Sequence, residues 1–238
     1  MKGLELHRWD VTPREAVAIQ RQLRERLILD DHPQQTRLVA GADVALDKEE
    51  HEGCAGVIVY SFPDLREVER QSARAKVGFP YVPGLLAFRE APVLLAAFEK
   101  LRAEPDLILF DAQGLAHPRR LGLACHLGLV LDKPAIGCAK SRLIGEFEQP
   151  GNEVGDYSPL YDGDEVVGTV LRTRANVHPV FVSQGHKVSL PTCVEIVLKC
   201  LDGYRIPKPT READHFVAMV KSGGAEPQKP PSLFPGLE

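Results

Sequence analysis

The sequence predicts an α/β fold on a mixed sheet, an antiparallel meander plus parallel strands, flanked by helices. Three features of the 238-residue chain carry that prediction. Strand-like runs follow one another between residues 38 and 77 with only turn-like segments between them, the pattern of antiparallel hairpins. Two solidly apolar runs, DLILFDA (106–112) and PAIGCAK (134–140), are separated by a helical stretch, and such strands pair in parallel in a sheet covered on both faces. Helical periodicity before, between and after these runs supplies the covering layers.

Taken in order, PREAVAIQRQLRERLIL (13–29) sets Val17, Leu23 and Leu27 on or near one face, with proline at its start, and reads as an amphipathic helix. LVAGADVAL (38–46), AGVIVYSF (55–62) and a more polar run within EVERQSARAKV (67–77) form the meander. A helix over about 84–101, the apolar strand, a second helix after His117-Pro118 and the strand 134–140 follow. The remainder holds a hairpin around YDGDEVVGTVLRT (161–173), a strand near PVFVS (179–183) and helices near 190–201 and 210–221. Residues 1–221 are expected to form a single domain, and the Gly/Pro-rich SGGAEPQKPPSLFPGLE (222–238) a flexible tail.

With 44% hydrophobic and 26% charged residues the composition is that of a globular protein. A net charge of -4 and a pI near 6.1 exclude a global positive field, so a nucleic-acid partner needs a local basic face and a divalent metal between carboxylates and phosphates. Arg119, Arg120, Lys140, Arg142, Arg172, Arg174 and Lys187 are the available cations, each readable as solvated surface charge. Five cysteines without Cys-x-x-Cys spacing argue for reduced, packed thiols. No stretch approaches the ~18 apolar residues of a membrane span, so a cytosolic protein without a membrane partner is expected. Phosphate-binding P-loops, dinucleotide fingerprints and nucleophile elbows are missing, which removes nucleotide-hydrolysis motors, dinucleotide enzymes and serine hydrolases.

The informative residues are carboxylates in apolar surroundings. Helical spacing puts Glu90 beside Leu86, Ala87, Val93 and Leu94, where a carboxylate needs a metal or a core-facing arginine. Strand alternation puts Asp43 on the face of Val39, Gly41 and Ala45. Asp111 ends a strand at the carboxyl edge of the sheet, where α/β folds assemble ligand sites, although a turn former would sit there too. Asp214, with Val217 and Ala218 at i+3 and i+4, borders the apolar side of a late helix or is a plain surface carboxylate. Brought together, these oxygens suit Mg²⁺ and the hydrolysis of a phosphate ester. In AQGLAHPRRLG, Gly114 permits close backbone approach, and His117 with Arg119 at a helix N-terminus would grip a phosphate, unless His117 only caps the helix. Lys140 ends its strand as Asp111 does, as a cation at the same rim or an exposed strand-end lysine.

LHRWD, VAGADVAL, FPYVPGLLAFRE, FDAQGLAHPRRLG, IGCAKSRL, VSQGHKVSL and YRIPKPTREAD together resemble the endonuclease V family, deoxyinosine-specific endonucleases with a ribonuclease H-like fold. The resemblance covers nearly everything except the tail. It implies that Asp43, Glu90 and Asp111 are the metal-binding catalytic carboxylates, that Asp214 rather than His215 completes the site, and that Lys140 stands beside the scissile phosphate. It implies Mg²⁺, replaceable by Mn²⁺, and a DNA-repair nick at the second phosphodiester 3′ to a deaminated adenine. Tyr81, stiffened by Pro80 and Pro83, becomes a wedge that holds open the gap left by a flipped base, as opposed to a loop aromatic folded onto the core. Backbone around Gly84, Leu86 and Ala112 becomes a pocket that excludes guanine by its exocyclic amine; Ala112 stands where many members have glycine. Pro83, Gly114, His117 and Arg119 join this lesion-recognition set. Relatives with these motifs act on inosine in RNA, so an inosine-specific endoribonuclease is the alternative, and a non-catalytic binder of inosine or branched nucleic acid a third reading. A monomer is expected.

Overall fold

The computed structural model describes residues 1–31, 35–46 and 52–223. Helix α1 (Pro13–Arg24) opens with a reciprocal cap: the Thr12 hydroxyl accepts the Glu15 N–H while the Glu15 carboxylate accepts the Thr12 N–H at 2.7 Å. Strands β1 (Leu38–Leu46), β2 (Glu52–Ser61) and β3 (Glu67–Lys76) pair antiparallel, as the meander predicted. After α2 (Leu86–Phe98) come β4 (Leu107–Phe110), α3 (Leu123–Leu131) and β5 (Ala135–Ala139), and β1, β4 and β5 lie parallel. The chain continues through β6 (Tyr157–Asp162), β7 (Glu165–Leu171), β8 (Val180–His186), α4 (Leu190–Lys199) and α5 (Lys208–Lys221). One eight-stranded sheet results, in the order β3-β2-β1-β4-β5-β8-β7-β6.

Three boundaries differ from the sequence reading by four residues or more. Helix α1, expected over 13–29, ends at Arg24, where the Arg26 and Leu27 N–H groups turn back to the Leu23 and Arg24 carbonyls. The helix expected after His117-Pro118 begins only at Leu123, because Arg120 adopts a left-handed φ of 55° that a helix cannot continue through. The late hairpin starts at Tyr157, four residues before the predicted 161, since Tyr157, Ser158 and Pro159 also pair with β7. The tail expected over 222–238 lies outside the described residues beyond Gly223.

Strand alternation sorts the core into two layers. Ala40, Ala42, Val57, Ile108 and Phe110 face α2 and α3 through Leu94, Phe98 and Leu127. Val39, Ile58, Leu109 and Ile136 face α4 and α5 through Val197, Phe216 and Val217. None of the described helices is long and apolar enough to cross a membrane.

The contact of α5 with β1 is close enough to require glycine. A Cβ on Gly41 would lie 2.0 Å from the Pro209 carbonyl oxygen and 2.7 Å from the Thr210 nitrogen. Gly41→Ala therefore has to push the helix away from the strand. Overpacking of this kind costs ~2–3 kcal/mol, or roughly 5–10 °C in Tm for a chain this long. Thermal unfolding measures it, and an unchanged Tm would contradict the contact.

Candidate active site

The register of three parallel strands assembles the rim of the site. Ala42 is opposite Phe110 and Phe110 opposite Gly137, so Asp43 and Asp111 follow at the same level on neighbouring strands. Adjacent strands are ~4.8 Å apart, which sets the two carboxylates side by side. Lys140 follows Ala139 at the same edge of β5. Glu90 arrives from α2 in one layer and Asp214 from α5 in the other. The structure thus brings to one rim all four carboxylates singled out from sequence.

The cost of that assembly appears in their protonation. Burial, followed by repulsion from Asp111 and Asp214, raises the Asp43 carboxyl to about 7. Burial and repulsion from Asp43 raise Glu90 to about 8. Arg89 opposes the rise, but its Nη1 donates to the Phe79 carbonyl oxygen at 2.7 Å. Burial also raises Asp111, against a hydrogen bond from Lys140. The Lys140 Nζ stands 2.5 Å from Asp111 Oδ2 and 3.2 Å from Asp214 Oδ2. Burial disfavours its charge, yet these two carboxylates hold its pKa above the ordinary lysine value.

Among the described residues no three carboxylate, imidazole or thiol groups close on one point as a ligand shell. The donor set nevertheless fits a hard divalent cation. Its members are oxygens, and burial, then repulsion among them, makes Asp43, Glu90 and Asp111 hold their protons more tightly than free carboxyls, a penalty that a bound cation would offset.

Beside the rim, the FPYVPG loop is fastened at both ends. Arg89 holds the Phe79 carbonyl, while Gly84, at a φ of 78°, turns its carbonyl oxygen toward three donors. These are Gln20 Nε2 at 3.0 Å, His117 Nε2 at 3.0 Å and Arg119 Nη2 at 2.6 Å. His117 Nδ1 accepts the Arg119 N–H, which leaves Nε2 as the donor, and burial first, then Arg119, lowers its pKa to about 4. His117 and Arg119 thus hold the loop and do not form part of a helix N-terminus. Between the two fastenings Tyr81 is 71% exposed, so it is not folded onto the core.

A cavity of about 300 Å³ opens under this loop. Tyr81, Pro83, Gly84, Leu86 and Ala112 line it, together with Asp111 and Lys140 of the rim. Gly114 does not line it. A Cβ there would meet the Gln184 carbonyl oxygen at 2.1 Å, so its smallness serves packing against β8. Sequence reasoning missed Gln20, which is 1% exposed and binds Arg119 Nε, Gly84 O and Leu121 O. A polar residue on the buried stripe of α1 was the available signal. It also missed Gln113, whose Nε2 donates to Ser141 O at 2.8 Å, and Arg205, whose Nη2 donates to Lys140 O at 2.5 Å. Neither had a local pattern to reveal it.

The endonuclease V family model matches residues 21–215 of the chain. An endonuclease V from Dehalococcoides mccartyi is 51% identical over 218 residues, 92% of this chain and 97% of its own. The crystal structure of endonuclease V from Streptomyces avermitilis superposes with a TM-score of 0.86 at 43% identity, covering 90% of this chain and 95% of that one. Endonuclease V from Ciona intestinalis, bound to a 24mer DNA containing an inosine followed by a ribo-adenosine, superposes with a TM-score of 0.78 at 30% identity, covering 88% and 98%. The sheet is therefore ribonuclease H-like, and the chain, with its carboxylate rim and the cavity beside it, belongs to the endonuclease V family, whose members are metal-dependent nucleases.

Proposed function

We infer that this chain is a DNA-repair endonuclease that recognises deoxyinosine and hydrolyses the second phosphodiester on its 3′ side, with Mg²⁺ as the working ion and Mn²⁺ as a substitute. The observation that carries the reading is the junction of two features at Asp111 and Lys140. The cavity under the Tyr81 loop and the carboxylate rim share these residues. Its placement in a family whose Ciona intestinalis member binds inosine-containing DNA supports the choice of base.

Each residue then has a task. Asp43, Glu90, Asp111 and Asp214 would hold the ion, which supplies an activated water and offsets charge on the attacked phosphate. Lys140 donates to a phosphate oxygen at the same edge. A base can enter the cavity only after leaving its stack, at a cost of a few kcal/mol, and Tyr81 fills the gap it leaves. Fastening of Phe79 and Gly84 spares the loop much of the entropy it would otherwise lose on insertion. Backbone at Gly84, Leu86 and Ala112, with Pro83, shapes the cavity to hypoxanthine and against the guanine amine. One chain supplies every one of these groups, so a monomer suffices, and five buried cysteines accord with the cytosol.

Under saturating Mg²⁺ the protein is expected to nick an inosine-containing DNA strand, and to prefer it to the matching RNA strand in direct competition. Asp43→Asn or Glu90→Gln should reduce single-turnover cleavage by ~10³-fold or more, the several kcal/mol a catalytic ion supplies. A variant that retains activity overturns the assignment of that residue.

Tyr81→Ala should weaken binding to inosine strands by about tenfold, roughly the 1–3 kcal/mol of one stacked base, while leaving the saturated cleavage rate within about threefold. Equal affinity of variant and parent, read by fluorescence anisotropy, counts against the wedge.

Protonation gives a readout independent of turnover. Asp43 at about 7 and Glu90 at about 8 lie above their values in the unfolded chain, so the folded metal-free protein binds more protons than the unfolded one between these limits. Its stability therefore falls as pH rises from ~4 through ~8, and Mg²⁺ reverses the loss. Calorimetric titration of Mg²⁺ at pH 7 in two buffers of different ionisation enthalpy should show proton release that disappears near pH 9.5. Release that does not change between the two pH values contradicts the raised carboxyls.

A further inference from the structure

Beyond Lys140 lies a second cavity, of about 310 Å³, whose chemistry is opposite to that of the rim. Lys140, Arg142, His178 and Arg205 line it, and among the described residues none of its lining groups is acidic. The segregation is local, since Arg142 also borders a neighbouring hollow lined by Glu146 and Asp162. Neither arginine forms an ion pair among the described residues, although the charge of Arg205 reaches Asp111. Arg142 Nη1 donates to the Gly145 carbonyl at 2.7 Å and its guanidinium lies 5.8 Å over the Phe147 ring. Arg205 Nη2 donates to the carbonyls of Lys140 and Pro179 at 2.5 and 2.9 Å, while its Nε has no hydrogen-bond partner. Carbonyl oxygens and an aromatic face fix a guanidinium yet leave its charge available to an anion.

Lys140, Ser141 and Arg142 line both this cavity and the one under the Tyr81 loop, so they form the wall between the two. Phe147 and Phe181 meet edge to face at 5.5 Å and give the second cavity an apolar side. A phosphate with its attached sugar and base is the ligand that uses both the charge and the rings.

We propose that this basic cavity is a subsite for the strand downstream of the cut, in which Arg142 and Arg205 hold a phosphate 3′ to the scissile bond. The proposal rests on the functional reading above. With the lesion base in the first cavity and the scissile phosphate at the rim, the strand leaving in the 3′ direction passes Lys140 and reaches the wall's far side. Its phosphates there meet positive charge after the acidic rim, which draws the strand across a region that would otherwise repel it. Arg142 and Arg205 are positioning residues in this scheme, since neither touches the reacting atoms.

The test compares inosine strands that end one nucleotide beyond the cut with strands that continue for five more. In the parent the longer strand should have a KM about tenfold lower at equal kcat. Arg142→Ala should remove that advantage, raise the KM of the longer strand far more than that of the short one, and make the dependence of log affinity on log salt shallower by about one. Arg142→Lys, which keeps the charge, should restore the salt slope. Melting temperatures of both variants verify folding.

A KM that ignores downstream length, or that follows length on the 5′ side, overturns the subsite. So does an Arg142→Ala effect of equal size on both strands. If the parent nicks neither strand, the functional reading fails, and binding by anisotropy still decides on the cavity: an unchanged salt slope in Arg142→Ala refutes it, a shallower one supports it.

Discussion

Repulsion among carboxylates is the constraint on which this structure turns. Asp43, Glu90, Asp111 and Asp214 occupy one edge of a sheet and gain little from one another's company. Burial, with their mutual repulsion added to it, raises Asp43 to about 7 and Glu90 to about 8. A loose scaffold would let the groups drift apart into water. Here the backbone denies that relaxation. Asp43 and Asp111 sit where adjacent parallel strands end in register, and Gly41 lets α5 lie directly on β1 beneath Asp214. The strain is electrostatic, and the core on both faces of the sheet withstands it.

The loop that carries Tyr81 answers a different requirement, which is to expose an aromatic residue without letting its support move. Phe79 is packed beside Phe88, and its carbonyl is held by Arg89. At the other end Gly84 needs a left-handed φ to present its carbonyl to Gln20, His117 and Arg119. Any side chain at 84 would meet the Arg119 guanidinium, 2.6 Å from an added Cβ. Glu90 lies one and a half turns further along the same unbroken segment. Anchoring the loop therefore anchors the start of α2, and with it one of the four carboxylates.

Much of this was legible in the sequence, because the relevant signals are local. Asp43, Glu90 and Asp111 were conspicuous as charges within apolar runs, and the parallel β4–β5 pair followed from continuous hydrophobicity. The start of α3 was not legible. His117-Pro118 looks like a helix opening, but the segment to Gly122 is bent by a left-handed Arg120 and packed backbone to backbone, since Gly122 would place a Cβ 2.2 Å from the Gln113 oxygen. That approach depends on residues remote in sequence. Gln20 escaped notice for the same reason: its partners Gly84 and Leu121 are 64 and 101 residues away. The family motifs drew attention to His117 and Arg119, while their contacts with the Gly84 carbonyl, and the packing role of Gly114, required coordinates.

Lys140 joins these separate arguments. Its ammonium bridges Asp111 and Asp214, so it lowers the cost of the acidic rim on one side. Its main chain belongs to the wall that divides the two cavities, and that wall is secured from behind by two residues of different origin. Gln113, from the β4 side, holds the Ser141 carbonyl, and Arg205, from the segment before α5, holds the Lys140 carbonyl. A side chain as flexible as lysine has little positional value unless its backbone is fixed. With the backbone held, the ammonium keeps its place between an acidic edge and a basic hollow. Net charge consequently says little about how this chain meets a polyanion; what matters is the local arrangement of acidic and basic groups on either side of Lys140.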